Sequence, residues 1–365
     1  MKRKKKSTCY EIMHGERKIA EINIRGEVDI FDEKFFPYDL YLEEDRDFDT
    51  LINNMNNFYH WCASRVLSLD RKYAKEILNS IGMSQAVTDL DRAKISLSYH
   101  CVSLTDVFWV KEKEEEVSFE KLNLYDHSLN EAIVELPLRG KSMTVTNEEL
   151  APDLSTKGCF PKAWIRKEDG FVLLKDGGEE TVKRELIASQ ICQCFDFRQV
   201  RYKEGFYLGE RVTESRIITS RRYSIVSKMA FEIYAENHDF SAVEECIRID
   251  KKTYYGMNIL DYLVGNIDRH PENWGVLVDN ETNEYLSLYP IMDFNMSFGS
   301  YDILEGASCQ TVYPQRKTQR EAAAEAVRQV GLNQIREIDE EIFKEAPEWK
   351  EMFFQRLEEL KKYER

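Results

Sequence analysis

A chain of 365 residues with 42% apolar and 12% aromatic content is long enough for about two domains and a sizeable core. Its 51 basic and 66 acidic residues leave a net charge of −15, which argues against direct contact with nucleic acid or anionic membranes, because phosphate surfaces call for clustered Lys and Arg. Eight cysteines and six histidines are scattered without Cys-x-x-Cys or metal-type spacing, and no apolar run approaches the ~18 residues of a membrane span, so the expectation is a cytoplasmic protein without zinc, disulfides or transmembrane helices.

Met1 to Lys6 is basic but leads into Ser7, Thr8 and Cys9 rather than an apolar signal core, and reads as a frayed terminus. Short apolar bursts at Ile19, Ile22 and Ile24, then Val28 and Ile30, flank Arg25-Gly26 and predict a β-hairpin within 18–42. Residues 48–110 read as mainly helical. Leu51, Met55, Phe58, Tyr59 and Cys62 fall at helical spacing, as do Ala74, Ile77 and Ile81 and, further on, Leu90, Ile95 and Leu97. The aromatics here, Phe58, Tyr59, Trp61, Tyr99, Phe108 and Trp109, are core or partner surface, with core the ordinary outcome. Lys111 to Glu116 reads as a solvated turn, and the polar stretch 138–150, after Pro137, as a domain boundary.

The second half reads differently. Trp164–Ile165 and Phe171–Leu174 predict paired strands turning at Glu168-Asp169-Gly170. A helix is predicted over 179–195, with Val182, Leu186, Ile187, Ile191 and Cys194 on one side, then two or three strands in 199–226. A further helix covers 255–266, and the Glu-, Lys-, Arg- and Ala-rich tail 317–365 reads as helical. The expected fold class is α+β. A mixed, largely helical region, 1–148, precedes a nucleotide-binding region at 149–240 and a helical region at 241–365.

The chemistry centres on Gly265-Asn266-Ile267-Asp268-Arg269-His270-Pro271-Glu272-Asn273. An Asp followed five positions later by an Asn also occurs as Asp49 with Asn54 and Asp261 with Asn266, and both of those read as coincidences inside helices. The third pair differs because it opens into a predicted hairpin, Trp274–Val278 and Tyr285–Met292 around Asp279-Asn280-Glu281-Thr282-Asn283. A hairpin returns the chain, so Asp293 is expected near Asn273, two hard oxygen donors of the kind Mg²⁺ takes alongside water and substrate phosphate. Asp268 sits on the preceding loop, where it could orient a hydroxyl and accept its proton. His270 is the rival base, or simply bonds the loop backbone. The bland alternative is a polar loop whose Asp and Asn cap turns.

Two upstream groups fit phosphate chemistry. Lys175 ends an apolar strand, and Glu185 follows ten residues later on a predicted helix. A Lys held by a helical Glu and aimed at α/β-phosphates recurs in kinases, although each residue alone is ordinarily solvated. The turn Ser155 to Trp164, with Thr156, Lys157, Gly158 and Lys162, could cover phosphates through its backbone N–H groups.

Together these residues resemble the HipA-like serine/threonine kinases, a bacterial branch of the kinase-like superfamily, from about Pro152 to Phe298. The Asp-Arg-His-x-x-Asn loop is also similar to that of phosphatidylinositol kinases. The resemblance implies a bilobal kinase-like fold, ATP and Mg²⁺ as cofactors, and a protein substrate. It also implies the company of a small antitoxin-like partner. It assigns Asp268 as base, Asn273 and Asp293 as metal ligands, Lys175 as the ATP contact and Glu185 as its holder. Asp293 is followed by Phe294-Asn295 rather than Phe-Gly, a departure from the kinase pattern. A small-molecule or lipid-headgroup kinase, and a non-catalytic pseudokinase with a partner-choosing N-terminal domain, are the alternative readings.

Overall fold

The computed structural model describes residues 9–65, 88–127, 162–167, 170–175, 177–207, 209–299, 301–312 and 316–364. They fall into two compact units. The first holds the chain up to Phe171 together with Thr219–Ser224 and Asp279–Glu284; the second holds Val172–Ile218, Ile225–Val278 and Tyr285–Arg365.

The first unit is built on an antiparallel sheet in the order β3-β2-β1-β4. Its strands are β1 (Cys9–His14), β2 (Arg17–Asn23), β3 (Val28–Ile30) and β4 (Phe108–Glu112). The predicted hairpin is β2 and β3, paired from Ala20 with Ile30 to Ile22 with Val28. Gly26 turns it at φ 84°, a left-handed conformation that a side chain would strain. Helix α1 (Phe48–Ser64) starts where the Asp47 carboxylate accepts from Asp49 N and Thr50 N, and it packs against α2 (Asp89–Ser98). Ile12, Ile19, Ile22, Phe58, Trp61 and Phe108 share one core, and Tyr99 and Trp109 are buried too, so five of the six aromatics are interior. Arg65 forks onto Asp106 at 2.7 and 3.0 Å in the same interior. A short helix, α3 (Phe119–Leu122), follows β4.

Three expectations need correction or fall outside this description. The mainly helical reading of 48–110 stops at Ser98; the chain then turns and enters β4, which takes up Lys111 and Glu112. Those two residues pair with Glu11 and Tyr10 of β1, a strand the sequence did not announce. Ala74, Ile77 and Ile81, the 138–150 boundary and the turn residues Glu168 and Asp169 lie outside the described residues.

The predicted strands at 164–165 and 171–174 appear as β5 (Lys162–Lys167) and β6 (Gly170–Lys175). In the second unit β6 pairs antiparallel with β8 (Glu210–Arg216), and β8 with β7 (Lys203–Tyr207). Helix α4 (Glu179–Cys192) begins with two glutamates, which suit a helix N-terminus, and buries Val182, Leu186, Ile187 and Ile191. Cys194 lies beyond its end. After β9 (Tyr223–Ser227) come α5 (Lys228–Asn237), α6 (Ala242–Ile249) and α7 (Lys251–Val264). Helix α7 is buried nearly all round from Thr253 onward, mostly by apolar side chains but with Asn258 and Asp261 buried among them, and α8 (Gln319–Val330) and α9 (Lys350–Lys361) pack on it. The hairpin β10 (Gly275–Asp279) and β11 (Glu284–Leu288) forms as expected. Among the described residues the tail is α-helical in α8 and α9, with two short 3-10 turns between them.

Candidate active site

Strand β6 ends at Lys175, in register with Thr213 of β8. The Lys175 ammonium lies 2.9 Å from Glu185 Oε1 on α4 and 2.9 Å from Asp293 Oδ1. Glu185 is 1% exposed, and its other oxygen accepts from the Thr213 hydroxyl. The Tyr202 ring lies 5.0 Å from the ammonium, and its hydroxyl accepts from Asp293 N at 3.0 Å. Burial alone would favour the neutral amine, but the Asp293 and Glu185 carboxylates outweigh it and hold Lys175 well above the ordinary lysine range. Burial pushes Glu185 up, since one ammonium shared by two carboxylates gives each less than a full counter-charge.

Helix α7 stops at Gly265, whose φ of 61° is the left-handed C-cap that glycine favours. The loop that follows is held by its own polar side chains. Asn266 Oδ1 accepts from Asp268 N at 3.2 Å, and its amide donates to Asp261 Oδ1 at 3.0 Å and to the Asp293 carbonyl at 3.3 Å. Asn273 Nδ2 donates to the Asp268 carbonyl at 2.8 Å, which leaves the amide oxygen as its acceptor end. Arg269 Nη1 donates both to the Asn273 carbonyl, at 3.1 Å, and to the Met292 carbonyl. One guanidinium nitrogen thus joins the start of the β10–β11 hairpin to the residue before Asp293. Asp293 itself has φ 62°, a strained value for a residue with a side chain.

Asp268 is half-exposed. Burial pushes its carboxyl above the ordinary range; Asp293 adds to this, and His270 and Arg269 oppose it. His270 Nε2 lies 3.9 Å from Asp268 Oδ2, while its Nδ1 accepts from Glu272 N at 3.2 Å. So Lys175, Glu185 and Asp293 are in direct contact, and Asp268, His270 and Asn273 share one loop. Thr156, Lys157 and Gly158 lie outside the described residues; Lys162 opens β5, with its side chain outside them as well. Asp261 and Asn266, read as a coincidence within a helix, bond directly to each other under the loop. Tyr202 and Thr213 had no sequence signal, and only strand register and the turn after α4 bring them in.

Among the described residues no three His, Cys, Asp or Glu side chains gather into a cage for a metal. The oxygen donors of Asn273 and Asp293 still suit Mg²⁺, which takes few protein ligands and fills its shell with water and phosphate. No described helix is long and apolar enough to cross a membrane.

No protein-family model matches this chain, and no curated protein matches it. Solved structures do. A chain of the Shewanella oneidensis toxin–antitoxin complex of HipA, HipB and operator DNA matches with a TM-score of 0.52 at 11% identity, covering 97% of this chain and 94% of that one. The proinflammatory kinase CtkA of Helicobacter pylori matches at 16% identity with a TM-score of 0.41, covering 55% of this chain and 90% of that one. At 11% identity the likeness to the toxin–antitoxin chain is one of fold: the chain has a mixed α+β, HipA-like fold.

Proposed function

We propose that this kinase-like chain is an ATP- and Mg²⁺-dependent phosphotransferase acting on Ser or Thr of a protein substrate. The observation that supports it best is the Lys175 ammonium 2.9 Å from both Glu185 and Asp293, with Asp268 and Asn273 on the loop tied to Asp293. An ammonium so placed is a charged, pre-aimed partner for ATP phosphates, and Glu185 keeps it from swinging away. Asn273 and Asp293 would hold Mg²⁺, which when bound neutralises and orients phosphate oxygens. Asp268 would orient the substrate hydroxyl and accept its proton as the oxygen attacks phosphorus. Its raised proton affinity makes it a better base than an ordinary aspartate. His270 is bonded to the loop backbone at Glu272 N and stands second for that role. The turn containing Thr156, Lys157, Gly158 and Lys162 is proposed to cover the phosphates.

The structural likeness to a toxin–antitoxin complex supports a small antitoxin-like partner for this chain too. Residues 1–148 are proposed to choose the partner, and 149–365 to carry the chemistry. The test is calorimetry with Mg·ATP on the wild type, Asn273→Ala and Asp293→Ala. Each variant is expected to bind Mg·ATP about tenfold or more weakly, or ~1.4 kcal/mol. Unchanged affinity and metal dependence in Asp293→Ala would refute the assignment. Phosphoryl transfer from labelled ATP to proteins, against transfer to small alcohols, then decides the substrate class.

A further inference from the structure

Among the buried charged residues that the roles proposed above leave unused, two sit beside the 265–273 loop. Arg269 is 2% exposed and Asp261 4%. A buried ion pair is weak as a source of stability, because desolvating both charges offsets their attraction. The geometry of this pair points elsewhere. Arg269 Nε and Nη2 meet the two oxygens of Asp261, each at 2.8 Å, which fixes the guanidinium plane. With the plane fixed, Nη1 has both hydrogens aimed at main-chain carbonyls, those of Asn273 and Met292. Four of the five N–H groups of an arginine are then committed. The Phe294 ring lies 5.6 Å from the same guanidinium.

Asp261 has a second arm. Its Oδ1 also accepts from Asn266, which bonds the Asp268 amide and the Asp293 carbonyl. Through two side chains, one buried carboxylate reaches main-chain groups of Asp268, Asn273, Met292 and Asp293. We propose that Asp261 and Arg269 are positioning residues that set the separation of Asn273 and Asp293, and hence the fit of the metal between them. This rests on the reading of Asn273 and Asp293 as metal ligands. Lysine cannot replace the arginine in this role. Its three donors leave a single point and cannot hold a carboxylate and two divergent carbonyls in one plane.

The test is a Mg²⁺ titration of ATP binding on the full-length chain, with melting temperature measured alongside. Arg269→Lys keeps the charge and is expected to raise the Mg²⁺ concentration for half-maximal ATP binding by about tenfold or more, the usual cost of losing a residue that orients metal ligands. A double variant, Asp261→Asn with Arg269→Met, removes both buried charges and carries the measurement if Arg269→Lys does not fold. Its melting temperature is expected to return toward the wild type while its Mg²⁺ requirement stays raised. A pair serving stability alone gives a different pattern: a wild-type Mg²⁺ requirement in Arg269→Lys, or one restored in the double variant, overturns the proposal. Asp293→Ala separates this failure from that of the functional reading. If the wild type ignores Mg²⁺, or Asp293→Ala leaves its requirement unchanged, the metal site itself is wrong and the positioning role falls with it.

Discussion

Lys175 has two carboxylates at 2.9 Å, so the consequences of removing it are specific. Lys175→Met strands Glu185, which is 1% exposed, without its counter-charge; breaking such a pair costs roughly 3–5 kcal/mol, less to the extent that Glu185 takes up a proton. A double-mutant cycle with Glu185→Gln, read by both turnover and thermal unfolding, is expected to give a coupling of about 0.5–3 kcal/mol. Strictly additive effects would rule the pair out. At Asp268 activity and stability are expected to move in opposite directions. Its folded carboxyl keeps its proton to higher pH than in the unfolded chain, so ionising it costs stability as pH rises through that range. Asp268→Asn avoids that cost and is expected to melt at a slightly higher temperature at neutral pH, while turnover falls roughly 10²-fold or more and Mg·ATP binding persists. The wild-type rate should fall on the acid side at a pH above the ordinary aspartate range, and a pH–rate profile checks this. The contact of Lys175 with Glu185 could be read from a strand-end Lys followed ten residues later by a helical Glu, and the closeness of Asp268 to Asn273 from their shared loop. Asp261 and Asn266 were seen but misjudged, since a five-residue spacing says nothing about burial, and burial is what makes that pair a hub.

Helices α4 and α7 and the β10–β11 hairpin could be read from periodicity and turn residues, because each is shaped by its own sequence. Strands β1 and β4 could not. β1 lies between β2 and β4, and its last four residues are all buried, which erases the in–out alternation that announces a strand. β4 follows a helical stretch; its Phe108-Trp109-Val110 run suits a strand, but its pairing with residues almost a hundred positions earlier is a contact that local propensity does not encode. Two glycines hold elements close around the 265–273 loop. A Cβ at Gly265 would lie 2.6 Å from the Tyr301 ring, on a backbone at φ 61°. At Gly275 it would lie 2.7 Å from Lys228 N and overlap the Val226 carbonyl, both main-chain atoms with little room to yield. Gly265→Ala and Gly275→Ala are each expected to cost about 1–3 kcal/mol in denaturant unfolding. An exposed glycine with open space around it, such as Gly209, is the control apart from its own positive φ.

The two units interleave along the chain. Segments 219–224 and 279–284, both from the half proposed to be catalytic, belong to the first unit. Asn283 donates to the carbonyls of Lys34 and Phe36 at 2.9 and 3.0 Å, its own carbonyl accepts from Tyr38 at 2.7 Å, and Arg221 pairs with Glu120 and Asp126. A fragment of 149–365 is expected to bind Mg·ATP but to lose its target, and hydrogen exchange at the amides of 279–284 should be faster in it than in the full chain. A folded fragment unable to bind nucleotide would refute the proposed division. The same interleaving bears on how the chain is made. Residues up to 127 leave the ribosome well ahead of Glu284, by roughly 8–30 s at ~5–20 residues per second. Throughout that interval the N-terminal sheet lacks the hairpin tip that completes its unit. The first unit is therefore complete only once most of the second half has been translated, and a message cut short before the codon for Glu284 would yield a protein in which neither unit is whole.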